Sequence, residues 1–419
     1  MIAESGKGIV LCGVDFGWGS AGKLCAIMRS CRRARPTQRF VILGTKLGRT
    51  VLSGEPIEAW YADIPEDFCE LRELLDRHGV AAGLVVLDPR AADVLEHAGC
   101  PTVFVDSLPY LWTDADSLPF DVTAYCAQMC SALPQPAWAP LRRIARLHWV
   151  EGINATVPSR PRERHVAVLN VGGLHSPANP EGNPNYLGLV LEPALRACKA
   201  TGFHTVHLCG NIRPSDLSSV ADDLSLTVQA VTLPQENFLE LLAKTGLLMT
   251  SPGLTTLLEA SAHRTPTVCL PAQNLSQIFN GDRFASSVDA NCRVEWPMTV
   301  LDRCEVERAR LAGEDAGIAV IDKALGRLDP GAVHPWLINQ LTTAIRHTMT
   351  VTRWDGLTID TGMRGADQIA GLLLNLLDRS CDNVPVDHPR APASHVPPVG
   401  PNSNIVHLES GSENPQGGS

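Results

Sequence analysis

The sequence predicts an α/β protein made of two successive parallel-sheet domains. Three observations carry that prediction. The chain has 419 residues, more than one ordinary hydrophobic core fills. Short β-rich apolar runs alternate with helical patterns in two separate series, and a glycine-rich loop follows the first strand of each. Such alternation buries a parallel sheet on both faces, so the expected architecture is two facing Rossmann-like domains with a ligand in the cleft at the carboxyl ends of their strands.

In the first series GIVLCGV, FVILG, GLVVLD and TVFVD read as buried strands. EDFCELRELLDRHG and RAADVLEHAG read as helices, each stopped by a glycine. The pattern fails at NATVPSRPRER, which is polar, Pro- and Arg-rich and aperiodic. A second series follows in HVAVLNVGG, HTVHLCGN, LTVQAV, GLLMTS and TPTVCLP. The last clear helix, GADQIAGLLLNLLDRS, sets Ile369, Leu372, Leu373, Leu376 and Leu377 on one face. Beyond it the chain is Pro-, Ser- and Gly-rich without apolar pattern. The expected organisation is a domain over 1–155, a linker over 156–164, a second domain over 165–362, a C-terminal helix over 363–380 and a disordered tail over 381–419.

Composition narrows the partners. With 44% hydrophobic and 19% charged residues the chain is globular. A net charge of −10 without a dense Lys/Arg block argues against nucleic acid, whose phosphates demand a basic footprint. No signal peptide and no run of about 18 apolar residues is present, so a cytoplasmic protein that does not enter the membrane is expected. The 13 cysteines are scattered and odd in number. No C-x-x-C pair occurs, and Cys126 and Cys130, one helical turn apart, lack nearby His. They read as reduced core thiols, as for Cys12, Cys209 and Cys269 in apolar runs.

The segment GLLMTSPGLTTLLEASAHRTPTVCLPAQNLSQIFNGDRF, 246–284, is the most informative. It reads as a strand, a tight Ser251-Pro252-Gly253 turn, a helix from Leu254 and another strand. Leu254, Leu257, Leu258 and Ser261 share one stripe expected to face the sheet, with Thr255, Thr256 and Glu259 on the other side. Gly253 leaves room at the helix N-terminus, where free N–H groups and the dipole favour phosphate. Glu259 lies roughly 7–8 Å further along by helical rise, the reach from a diphosphate to ribose hydroxyls. Val171-Gly172-Gly173 is a second candidate phosphate loop. Arg213, past another strand end, is a candidate for neutralising charge.

This arrangement resembles the donor signature of GT-B glycosyltransferases, particularly relatives of the lipid II-forming N-acetylglucosaminyltransferase. The matching positions are Gly253, Thr255, Glu259, Pro266, Pro271, Asn274, Gln277 and Asn280. The resemblance implies a GT-B fold, a UDP-sugar co-substrate, no metal or other cofactor, phosphates held by Ser251 to Thr256, ribose by Glu259 and the transferred sugar by Asn274, Gln277 and Asn280.

The first loop, Gly17-Trp18-Gly19-Ser20-Ala21-Gly22-Lys23, nearly spells a P-loop, but Leu24 stands where a Mg²⁺-holding hydroxyl is needed. The family resemblance instead makes Gly17, Trp18, Gly19 and Ser20 acceptor-facing. No histidine stands in the loop as a base, so Asp15, Lys23 and Asp106 are the catalytic candidates. Tyr110 and Trp112 are candidates to line an acceptor pocket. Asp114-Ala115-Asp116 matches a D-x-D metal motif but is too short to weigh in a chain with 45 acidic residues.

GVDFGWGSAGKL, VDSLPYLW and SPGLTTLLEA together resemble the cytosylglucuronate synthase family. That narrower resemblance implies transfer of glucuronic acid from UDP-glucuronate to N1 of cytosine or hydroxymethylcytosine, with inversion, in nucleoside antibiotic biosynthesis. Lys23, Arg213 and Arg283 would be the cations available to the glucuronate. The implied partners are the UDP-sugar and a pyrimidine acceptor, with a homodimer left open. Competing expectations are a transferase using another UDP-sugar and natural-product acceptor, a UDP-sugar 2-epimerase, and a non-catalytic UDP-sugar-binding relative.

Overall fold

The computed structural model describes residues 6–130, 138–172, 174, 184–212 and 225–382. Gly173, Arg213 and the tail from 383 onward lie outside them. Two parallel sheets organise the chain. The first has seven strands: β1 (Gly8–Gly13), β2 (Arg39–Leu43), β3 (Ala59–Tyr61), β4 (Val80–Val86), β5 (Thr102–Asp106), β6 (Ala124–Gln128) and β7 (Leu147–Val150), in the order β3-β2-β1-β4-β5-β6-β7. The second has β8 (Glu163–Asn170), β9 (Thr205–Cys209), β10 (Thr227–Val231), β11 (Thr245–Thr250) and β12 (Thr267–Cys269), ordered β10-β9-β8-β11-β12. Both orders reverse direction, beside β1 and β8 respectively, which opens a crevice at the carboxyl ends of the strands.

All nine strands expected from continuous apolar runs are present. Three were not expected, β3, β6 and β7. Cys126 therefore lies in a strand and is not one helical turn from Cys130. Among the described residues the cysteines are free; most are buried, but Cys69 and Cys304 are exposed, contrary to the expectation of core thiols throughout.

The helices are α1 (Trp18–Ala34), α2 (Phe68–Arg77), α3 (Pro89–His97), the single turn α4 (Trp138–Leu141), α5 (Pro184–Ala200), α6 (Gln235–Lys244), α7 (Leu254–Ala262), α8 (Leu275–Ser287), α9 (Arg303–Arg310), α10 (Glu314–Leu325), α11 (Pro330–Thr348), α12 (Gly356–Thr361) and α13 (Gly365–Asp382). Five of them, α2, α3, α8, α9 and α11, begin on a side-chain cap. Asp67 and Asp88 accept from first-turn N–H groups of α2 and α3, and Asn274 does so for α8. By contrast, α1, α6, α7, α10 and α12 start without a side-chain cap, and α1 and α7, which follow Gly17 and Gly253, also have no acidic residue in the first turn. Their leading N–H groups are left for something else to satisfy.

The leucine stripe of α7 is buried, but its partner differs from the expectation. Leu254, Leu257 and Leu258 pack with Phe284, Cys292, Trp354 and Leu357 as well as Cys269, so they mostly meet α8 and α12. The sheet is met by Ala260, which packs with Val168 and Leu248. Periodicity identifies a buried face and is silent on what covers it.

Helix α13 returns to the first sheet. Its Ala366, Ile369, Ala370, Leu373 and Leu377 join the core of Ile9, Leu11, Ile27, Ile42 and Val103, while Leu372 and Leu376 are only partly buried. Lys7 Nζ donates to the Leu377 carbonyl, and Ser30 Oγ donates to Asp367 at 2.6 Å. The last helix thus ties the end of the second half to the first sheet. Leu373→Ala is expected to cost about 2–5 kcal/mol, because a fully buried leucine leaves a cavity that rigid sheet neighbours fill poorly. Denaturant unfolding of the whole chain checks this.

Candidate functional site

A cavity of about 600 Å³ opens where the carboxyl ends of the two sheets meet. Its lining comes from the loops after β1, β4 and β5 on one side and, on the other, from the end of β9 and the segments after β8, β10, β11 and β12. The N-termini of α1 and α7 both reach it: Gly17 to Ser20 open α1, and Ser251 and Gly253 to Thr256 open α7. Two helix starts without side-chain caps put two positive dipole ends on one hollow, an arrangement that favours an anion. Leu87, also in the lining, holds a left-handed backbone at φ 58, a costly conformation for a leucine that fixes the exit from β4.

The helix openings touch each other. Lys23 Nζ donates to Thr255 Oγ1, and Thr255 Oγ1 donates to the Gly19 carbonyl at 3.4 Å. Gly19 packs closely here: a Cβ would approach the Thr255 hydroxyl to 3.2 Å. Glu259, only 2% exposed, accepts from Gln235 Nε2 and also lines the cavity. Burial pushes the Glu259 carboxyl up and the Lys23 ammonium down, while each charge supports the other. Gln235 is anchored by its own N–H to the Val51 carbonyl at 3.1 Å. The carboxylate is therefore held in place by groups from both sheets.

On the other wall of the second sheet's crevice, Asn170 donates to Thr250 Oγ1 at 3.3 Å and to Thr256 Oγ1 at 3.2 Å, and accepts from the Gly172 N–H. Gly172, at φ 69, turns the chain tightly against Ser251. Gln273 Nε2 donates to the Val171 carbonyl at 3.0 Å and to Ser251 Oγ at 3.4 Å.

Most of the residues anticipated from sequence line this one cavity: Gly17, Trp18, Gly19, Ser20, Lys23, Trp112, Gly172, Ser251, Gly253, Leu254, Thr255, Thr256, Glu259, Asn274, Gln277 and Asn280. Several are already engaged. Asn274 Oδ1 caps α8 through the Gln277 N–H and accepts from Ser276 Oγ, Gln277 Oε1 accepts from the Gln273 N–H, and Asn280 Oδ1 accepts from Tyr110.

Among the described residues four anticipated ones, Asp15, Asp106, Tyr110 and Arg283, are not in the lining. Asp15 accepts from the N–H groups of Lys46 and Leu47 at 2.8 and 2.9 Å, ordering the loop after β2. Asp106 is fully buried and accepts from Trp112 Nε1, Tyr125 Oη and the Leu108 N–H. Tyr110 is buried behind the wall on Asn280. The Asp15 carboxylate holds backbone in place and the Asp106 carboxylate holds backbone and two aromatic side chains; Tyr110 supports the wall from behind. Arg283 packs against Tyr110 and Cys130, also outside the lining. Asp116 accepts from the Thr113 N–H and hydroxyl, a loop-stapling role.

Sequence reasoning missed Asn170, Gln235, Gln273 and an acidic stretch at the start of α10, Glu314 and Asp315, all in the lining. Away from the cavity, Asp289, Cys292 and His347 bring ligand-type atoms within 4.8 Å of one another, in a pattern no spacing motif announces. Their polar atoms have partners: His347 Nε2 lies 3.0 Å from Asp289, and Thr348 Oγ1 donates to Cys292 Sγ. Among the described residues no helix is long and apolar enough to cross a membrane.

No protein-family model matches the sequence, and no curated protein matches it. Solved structures do. UGT89C1 of Arabidopsis thaliana, solved with UDP, is 12% identical over 88% of this chain and 100% of that one, with a TM-score of 0.50. A UDP-glucosyltransferase of Polygonum tinctorium capable of glucosylating indoxyl is 14% identical over 90% and 100%, at 0.49. MurG of Acinetobacter baumannii is 12% identical over 88% and 99%, at 0.43. The fold is GT-B: two Rossmann-like domains with a cleft between them.

Proposed function

We propose that this chain is a UDP-sugar-dependent glycosyltransferase that transfers with inversion and needs no metal. One observation carries the reading: two uncapped helix N-termini and a buried, positioned carboxylate, Glu259, converge on a single cleft cavity. In this reading the N–H groups of α7 hold the diphosphate and Glu259 accepts from the ribose hydroxyls. The N-terminus of α1 and Lys23 stabilise the negative charge that develops on the departing UDP. Asn274, Gln277 and Gln273 stand where the sugar would lie. The sequence motifs that match the UDP-binding family and the UDP-bound Arabidopsis structure support it.

The finer proposal is glucuronic acid as the sugar and N1 of cytosine or hydroxymethylcytosine as the acceptor, in nucleoside antibiotic biosynthesis. A flat acceptor suits the wall of Phe16, Trp18, Leu108 and Trp112. The expected result is that purified protein given UDP-glucuronate and cytosine releases UDP and forms a product with the mass of cytosylglucuronate. Absence of both would reject the glucuronate–cytosine pair.

A second reading, a different UDP-sugar, is favoured by one observation. Lys23 is the one basic residue in the described lining, and it is already spent on Thr255, while Glu314, Asp315 and Asp322 add negative charge. A donor panel read by UDP release separates the two. Preference for an uncharged sugar by more than about tenfold in kcat/KM would replace glucuronate with that sugar.

A further inference from the structure

Transfer to a nitrogen or oxygen acceptor needs a base, and with Asp15 and Asp106 committed elsewhere the cavity must supply one. Among the described residues four carboxylates and no histidine line it. Glu259 accepts from Gln235 and feels the charge of Lys23. Asp315 and Asp322 are exposed. Glu314 is half-buried, and its carboxylate makes no hydrogen bond or ion pair among the described residues.

Its position is fixed from two sides. The Glu314 N–H donates to Asp116 Oδ1 at 3.4 Å, joining the first turn of α10 to the loop that also carries Trp112. One turn on, Gly317 packs against Leu275, so close that a Cβ there would reach Leu275 at 3.1 Å. Glu314 therefore sits between the loop after β5 and the start of α8, whose Asn274 and Gln277 line the presumptive sugar subsite. Two polar groups of the same cavity have no partner. Ser107, 1% exposed, has a free hydroxyl, and the buried Trp18 Nε1 donates to nothing.

We propose that Glu314 is the general base of the transferase reading, on which this inference rests, and that the acceptor is a planar heterocycle read by Trp18 Nε1 and Ser107 Oγ. The Glu314 carboxylate takes the proton from the ring N–H as that nitrogen forms its bond to the anomeric carbon. The anomeric carbon–oxygen bond breaks, and its electron pair leaves on the β-phosphate of UDP. The two donors meet carbonyl or imine acceptors of the ring, a pairing that an aliphatic alcohol does not offer.

The surroundings suit a base that works near neutrality. Burial, Asp116 and Asp315 push the Glu314 carboxyl up to about 7. The phenol of Tyr110, which also feels this carboxylate, is committed to Asn280. Arg310, the cation nearest in sequence, is spent on Glu307 and the Tyr110 carbonyl. Below that value the carboxyl is protonated and cannot accept the acceptor's proton, so turnover should rise with pH through about 7.

The test uses the full chain with UDP-glucuronate and cytosine. Glu314→Gln is expected to lower kcat by about 10²- to 10⁴-fold and to abolish the acid limb of the pH profile, with UDP affinity by calorimetry unchanged. Glu314→Asp should keep the limb at reduced kcat. A Gln variant within about threefold of wild-type kcat, with the limb intact, overturns the assignment while leaving the transferase reading standing. A wild type that releases no UDP from this pair fails differently, and the inference then falls with that reading.

Discussion

Replacing Glu259 by alanine is expected to weaken UDP binding by about 1–3 kcal/mol, the scale of hydrogen bonds to a charged group, or roughly 5- to 150-fold in Kd. The effect should be large because the carboxylate needs little ordering before it binds. Gln235 of α6 already donates to it, and the Lys23 charge lies near enough to favour its ionised form. Little side-chain entropy remains to be lost when ribose arrives. Glu259→Gln, which keeps one acceptor oxygen and loses the charge, should fall between alanine and wild type. Calorimetric titration with UDP on folded variants reads both, and an alanine variant with wild-type affinity rejects the ribose assignment.

The second large effect is expected at Asp106, and it should be an effect on stability. Asp106→Ala removes the acceptor for Trp112 Nε1, Tyr125 Oη and the Leu108 N–H at once. Each orphaned buried donor costs about 1–3 kcal/mol and the three share one site, so a total of about 2–5 kcal/mol is expected. The pH dependence has a definite sign. Burial outweighs the three donors and raises the carboxyl from 3.8 to about 6 in the folded chain. A raised folded pKa gives stability that is fully present below the unfolded value and lost as pH rises through the folded one. The gap between wild type and Asp106→Ala should therefore be wider at pH 4 than at pH 7, by denaturant unfolding. The pH profile of kcat should keep its shape, because Asp106 does not reach the cavity. A gap that widens with rising pH, or a lost kinetic limb, contradicts this account.

How much of this was legible in the sequence follows from how local each feature is. Strands such as GIVLCGV and GLVVLD read clearly because both faces of a parallel sheet are buried, leaving an unbroken apolar run. The strand AWY is half-buried at the edge, LHWV is largely exposed, and AYCAQ carries a polar end, so none shows that signal. The Ser251-Pro252-Gly253 turn, the start of α7 and Glu259 were readable as one group because they lie within nine residues of one another. Gln235, Asn170 and Gln273 are drawn from separate elements and meet only after the second sheet closes; no spacing rule joins them. Strand-end aspartates are ambiguous in a sequence for a physical reason: an aspartate at a sheet's carboxyl edge is as well placed to satisfy loop N–H groups as to do chemistry, and Asp15 accepts from two such groups.

A crystal of the protein soaked with UDP tests the central claim most directly. The account predicts the diphosphate on the N–H groups of Gly253 to Thr256, with the ribose hydroxyls within hydrogen-bond reach of Glu259. UDP bound anywhere else, or no UDP in the cleft at saturating concentration, would contradict it.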